Sequence, residues 1–246
     1  MKNLKINLSI VLSLFCGSVI FTSCDDDDPK PKKLEAYTDA YIQKTIVDDE
    51  EKTALAFFVQ ANKELKSVTV KVSGDEDTSY TLTASASNKE VFLLIPGDDD
   101  FSTDSIGAGN YEFSIESTQI DDEILVKNDS ISNKELATVT ISATEFAESK
   151  LKTTWETVAD ADGYVISLAN AEGTVLFNKG ADSAETDLAF GTDDNGWLNS
   201  EAKAEIGTTY TLNIMAVLYE EGATELDKGY NVQYISKDKK EIVWGE

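Results

Sequence analysis

From Tyr41 onward the chain offers only short runs in which apolar residues recur at every second position, each run closed by turn residues. No long stretch keeps a helical period. The run Leu65–Val72 is the clearest, with Val68, Val70 and Val72 on one side and Thr69 and Lys71 on the other. Such a chain can bury its apolar positions only by packing sheet on sheet, so the expected fold class is all-β. Seven runs precede residue 143: Tyr41–Val47, Thr53–Val59, Leu65–Val72, Tyr80–Ala84, Val91–Ile95, Tyr111–Glu116 and Leu136–Ser142. Gly74-Asp75, Asn88-Lys89, Pro96-Gly97 and residues 107–110 break them, as glycine, proline and amide side chains do at turns.

Seven short strands at this spacing resemble an immunoglobulin-like sandwich. Tyr111, at the start of the sixth run, resembles the tyrosine corner of Greek-key sandwiches. Residues 143–150 read as a crossover, after which a second pattern begins. Leu151-Lys152-Thr153-Thr154-Trp155, Gly163-Tyr164-Val165-Ile166-Ser167-Leu168 and Ile206-Gly207-Thr208-Thr209-Tyr210 occur in that order. Together they resemble the second strand with its core tryptophan, the third strand, and the tyrosine corner of a fibronectin type III domain. The resemblance covers residues 148–246 and lacks the family's usual proline-rich start. Asn231–Ser236 or Glu241–Trp244 supplies the last strand. The expected architecture is thus two tandem Greek-key β-sandwiches, Ig-like over 34–145 and fibronectin type III-like over 146–246.

Composition limits the chemistry. The formal charge of −25 repels phosphate backbones, so nucleic acid is excluded as a partner. There is no histidine, and all 21 basic residues are lysines. The usual neutral-pH acid–base group and the bidentate arginine fork are therefore missing. The only cysteines are Cys16 and Cys24. No disulfide, thiolate metal site or thiol nucleophile is expected in the domains, and no cofactor. Paired carboxylates could in principle hydrolyse glycosides, but in a chain with 46 acidic residues such pairs arise by number alone. The expectation is a protein that is not an enzyme.

Cys24 has its own explanation. Lys2 and Lys5 precede a mostly apolar stretch, Ile6 to Ile20, too short to span a membrane. Phe21-Thr22-Ser23-Cys24 follows and resembles the lipobox of bacterial lipoproteins, with phenylalanine where leucine is usual. The resemblance implies removal of residues 1–23 and a lipid on Cys24, which would make the membrane a partner. The run Asp25, Asp26, Asp27 and Asp28 resembles the surface-export signal of Bacteroidetes lipoproteins, implying an outer-membrane protein that faces the cell exterior. A solvated spacer is the simpler alternative. Residues 24–33, with Pro29 and Pro31 among lysines, form an extended tether.

Candidate sites are few. Trp197 sits in Gly191-Thr192-Asp193-Asp194-Asn195-Gly196-Trp197, where an exposed ring beside Asp193, Asp194 and Asn195 would suit a sugar. The other reading makes Trp197 a plug at the bottom of the sandwich. Trp155 is assigned to the core, and Trp244 closes a core edge. The clusters Asp98-Asp99-Asp100, Asp121-Asp122-Glu123 and Asp193-Asp194-Asn195 lack the spacing of a calcium loop, so no metal is assigned. Asp104-Ser105-Ile106, Asp129-Ser130-Ile131 and Asp182-Ser183-Ala184 resemble the Asp-Ser/Thr-apolar acceptor of Bacteroidetes O-glycosylation, which makes Ser105, Ser130 and Ser183 candidate acceptors in expected loops. The function expected is adhesion or capture of an extracellular glycan or protein ligand. The alternatives are an accessory lipoprotein of a polysaccharide-uptake system and a fimbrial or pilus component.

Overall fold

The computed structural model describes residues 33–119, 124–223 and 231–246. Cys24, the Asp25–Asp28 run and the Asp121-Asp122-Glu123 cluster lie outside them. Among the described residues, every regular element is a strand except a single 3₁₀ turn at Asp98–Asp100.

Eight strands build the first sandwich: β1 (Ala36–Val47), β2 (Glu50–Ala61), β3 (Leu65–Val72), β4 (Asp75–Thr81), β5 (Thr83–Ala84), β6 (Val91–Leu94), β7 (Gly109–Ser117) and β8 (Ile124–Ile131). One sheet runs β1-β2-β6-β5 and the facing sheet β4-β3-β7-β8, the Ig-like order. Seven strands build the second: β9 (Ile141–Ala147), β10 (Lys150–Trp155), β11 (Gly163–Ala169), β12 (Val175–Asp182), β13 (Asp187–Phe190), β14 (Thr209–Tyr219) and β15 (Val232–Val243). Its sheets run β13-β10-β9 and β12-β11-β14-β15, the fibronectin type III order.

Local chemistry sets the turns. Asp48-Asp49 joins β1 to β2 with φ of 55° and 63°, and Glu148-Ser149 joins β9 to β10 with φ of 52° and 63°. Two positive φ angles in a two-residue loop match the right-handed twist of the strands they connect. Tyr210, at the start of β14, accepts a hydrogen bond on its hydroxyl from the Glu205 amide at 2.9 Å and forms the expected corner. Tyr111 instead buries its ring against Phe57, 5.4 Å away and edge-on, with its hydroxyl over Gly109.

Some expected elements differ. The last strand of the first sandwich is β8, not Leu136–Ser142. β8 lies at a sheet edge with most of its side chains exposed, so it carries no alternating apolar signal. Residues 143–150 form the β9–β10 hairpin rather than a crossover. β9 spans the expected 145/146 division and pairs with β10, which places it in the second sandwich. The final strand is one 12-residue strand.

The two sandwiches share a sheet. β15 lies parallel to β1, with Ile42, Gln43 and Lys44 opposite Tyr234, Ile235 and Ser236, so two four-stranded sheets become one of eight strands. Side chains of β15 hold the connecting segment: Ser132 N donates to Gln233 Oε1 at 2.6 Å, Val139 N to Ser236 Oγ at 2.9 Å and Ile141 N to Asp238 Oδ2 at 2.8 Å. Gln233 and Ser236 are buried, so losing either partner would strand a backbone amide. Phe57, Phe113, Leu151, Tyr164, Phe177 and Trp244 belong to the core between the sheets. A second apolar cluster, with Tyr41, Phe58, Val165, Met215, Val217 and Ile235, lies on the opposite face of the long sheet.

Candidate functional site: a groove across the shared sheet

Burial on both faces makes strands near the seam unusual. On β1, Ile42 enters the core while Gln43 and Thr45 are buried on the other face. Pairing registers then place side chains in rows across that outer face. Val165, Met215 and Lys237 form one row, and Ser167, Asn213 and Lys239 the next. Ala169, Thr211 and Glu241 form a third. All of these residues except Val165 floor a groove of about 410 Å³, and the β11–β12 turn and Asp98 also line it. A cavity of that size suits a small ligand, which typically needs on the order of 300–1,000 Å³.

Lys237 is the partly buried charge in the groove, with Lys239, Asp98 and Glu241 also in its lining. Its Nζ donates to Gln43 Oε1 at 3.1 Å and lies 4.9 Å from the centre of the Phe101 ring. Burial, reinforced by Lys239, lowers its pKa to about 8, against a weaker pull upward from Asp98. It forms no ion pair among the described residues. Nearby, Asn213 Nδ2 reaches Ser167 Oγ and the Thr211 carbonyl only at 3.5 Å each. Those long contacts leave the amide available to a better partner.

Carboxylates gather where the sandwiches meet. One oxygen each of Asp39, Asp129 and Glu220 lie within 4.8 Å of one another. Val232 N donates to both Asp39 oxygens at 3.2 and 3.3 Å, and Ala40 N to Asp129 Oδ2 at 2.6 Å. Burial and the Asp129 charge hold Asp39 well above the usual carboxylate range. Burial raises Asp129. Burial and then Asp129 push Glu220 up to about 7. The buried Glu220 Oε1 has no hydrogen-bond partner. The trio is the one place among the described residues where three acidic groups converge as metal ligands would. It offers three such groups against the six to eight oxygens of calcium.

The residues singled out in the sequence go elsewhere. Trp197 is half-buried and packs against the rings of Phe177, Phe190 and Trp244 at 5.3, 6.4 and 5.9 Å, its Nε1 donating to the Gly191 carbonyl at 2.9 Å. Gly196, at φ 121°, lets it do so: a Cβ there would sit 2.5 Å from the Phe177 ring. This packing is that of the plug reading of Trp197. Asp194 accepts from Gly191 N at 2.7 Å and pairs with Lys150 at 3.1 Å, which lowers its pKa. Asp193 and Asn195 are exposed and belong to no cluster with it. Ser105 and Ser183 are exposed outside strands, but Ser130 lies within β8. Its amide takes Asp129 Oδ1 and its carbonyl takes Gln233 Nε2, so an acceptor peptide there is already engaged in a sheet. Sequence reasoning missed Gln43, Ser167, Asn213 and Lys237. The signal available was polar residues alternating with core residues on strands apolar on both faces.

No protein-family model matches the chain, and no curated protein matches it. Among solved structures, it is similar to a two-domain fibronectin type III segment of chicken tenascin, at 10% identity and a TM-score of 0.31. That likeness covers 85% of this chain and 99% of the tenascin segment. It is also similar to dimeric latent PorU of Porphyromonas gingivalis, at 9% identity and a TM-score of 0.31 over 90% of this chain and 21% of that one. A third is the FN1–FN3 segment of chicken CNTN1, at 11% identity and a TM-score of 0.28, covering 86% of this chain and 65% of that one. The fold assignment rests on the strand orders above rather than on these likenesses.

Proposed function

We propose that the chain is a non-catalytic, lipid-anchored protein of the bacterial cell surface that captures an extracellular ligand. The groove across the shared sheet carries this reading: it has ligand size, and its floor belongs to a rigid eight-stranded sheet. The Thr22-Ser23-Cys24 sequence and the acidic run after it support the anchor and its outward orientation. The absence of histidine and of any cysteine after Cys24 supports a binding role over catalysis. Amide and hydroxyl groups in the groove support a glycan over a purely apolar ligand.

The anchor is tested by feeding cells a tagged fatty acid: wild type should be labelled and Cys24→Ala should not. Equal labelling would remove the anchor. The capture site is tested on a glycan array with wild type and Asn213→Trp, whose ring should fill the groove. Binding should be lost while the melting temperature stays nearly constant. Binding that survives Asn213→Trp but disappears in Trp197→Ala would move the site back to the 191–197 loop.

A further inference from the structure

The groove holds an ammonium with too few partners. Lys237 carries three donors. Gln43 Oε1 takes one and the Phe101 ring face receives another. Both partners are neutral, so nothing within hydrogen-bond reach among the described residues balances the charge. The chain carries 46 acidic residues, and the lining itself includes Asp98 and Glu241, yet neither forms an ion pair with Lys237. A partly buried charge without a counter-ion is costly, and a ligand anion would supply one.

From this site, and resting on the capture reading above, we infer that the groove binds an acidic sugar, with the sugar's carboxylate on Lys237 Nζ. Three features select that class. Lys237 and Lys239 bring positive charge to the lining and Asp98 and Glu241 negative charge, so a singly charged carboxylate on a sugar ring suits it better than a phosphate dianion, which those two carboxylates would repel more strongly. The row beside Lys237 presents Ser167 and Asn213 next to Lys239, and Gln43 and Thr45 lie across from it, so neutral donors and acceptors stand beside the ammonium as sugar hydroxyls require. The floor is also a sheet face with its backbone groups paired within the sheet. A peptide laid there would find no free edge for its own amides, which is how extended peptides usually bind to sheets. An acidic oligosaccharide brings hydroxyls instead of a backbone ladder.

The test is calorimetry at pH 6.5 with trigalacturonate, its methyl ester and hexaglutamate. Wild type should bind trigalacturonate, and both methyl esterification and Lys237→Met should weaken binding at least tenfold. Lys237→Met removes a partly buried charge that has no counter-ion, so it should not unfold the protein; circular dichroism and the melting temperature check this. Affinity in wild type should also fall as pH rises past about 8, because the free ammonium loses its proton there. Lys237→Met should lose that pH dependence. Equal binding of acid and ester, or unchanged binding by Lys237→Met, would overturn the carboxylate contact. If a neutral glycan is then still blocked by Asn213→Trp, the capture reading survives without it. Tighter binding of hexaglutamate would overturn the sugar assignment in favour of an acidic peptide. No binding of any glycan would overturn both.

Discussion

Trp155→Ala should lower stability by about 3–5 kcal/mol, the usual range for deleting a large core side chain. Trp197→Ala should cost about 2–3 kcal/mol. Trp155 is 3% exposed and packs 5.4 Å from Tyr164, whose hydroxyl accepts the Val158 amide at 2.8 Å. Its loss would leave a cavity beneath β10 and loosen that hydrogen bond. Trp197 is less buried, but its ring closes a cluster in which Phe177 and Phe190 stack at 3.9 Å. It also ties the 191–197 loop to the core through Nε1. In thermal melts the Trp197 variant should drop by roughly 5–10 °C, given about 2–4 °C per kcal/mol for a chain this size. A Trp197→Ala protein with an unchanged melting temperature would restore the exposed-platform reading of that loop.

The junction carboxylates should make the protein less stable as pH rises through neutrality. Glu220 has a folded pKa of about 7, above its ordinary 4.5, because burial and Asp129 oppose its charge. Its contribution is therefore fully present below about 4.5 and is lost as pH rises through about 7. Asp39 and Asp129 are shifted in the same direction by burial. Glu220→Gln removes the charge while keeping a polar side chain of the same shape. At pH 8 it should gain about 1–2 kcal/mol, a figure reduced for the part of Glu220 that water reaches. At pH 4 the variant and wild type should be alike. Net negative charge also disfavours compactness as pH rises, so Glu172→Gln, at an exposed turn, is the control for charge alone. Chemical unfolding at the two pH values separates them: equal gains from both variants would mean the junction is not special.

The all-β class was legible because alternation in Leu65–Val72 and its neighbours admits nothing else. The second sandwich was the more legible half, since Trp155, Gly163-Tyr164 and Gly207-Thr208-Thr209-Tyr210 each mark a position that the fold uses. What hid was polar or edge structure. β8 carries Lys127, Asn128 and Asp129, poor strand formers tolerated because the strand lies at an edge. The parallel pairing of β1 with β15 joins residues far apart in the chain, and no local pattern encodes such a contact. The groove hid for the same reason. Gln43 and Lys237 come within 3.1 Å only once that pairing forms. Trp197 allowed two readings because glycine and aspartate around it read as an exposed loop. Gly191 and Gly196 are there to let the loop close on the core: a Cβ would lie 2.8 Å from the Ser149 carbonyl at Gly191 and 2.5 Å from Phe177 at Gly196.

Met215 gives the most direct test of the groove as the capture site. It is the only methionine after Met1 and lies in the groove floor opposite Lys237. Protein labelled with ¹³C at methionine methyl groups therefore carries a single reporter beyond the N-terminus, already at the proposed site. Titration with trigalacturonate should shift the Met215 methyl signal along a saturating curve, with a midpoint equal to the calorimetric dissociation constant. The Trp197 indole N–H should stay in place. Binding heat with an unmoved Met215 methyl and a moving Trp197 indole would contradict the account and return the site to the 191–197 loop.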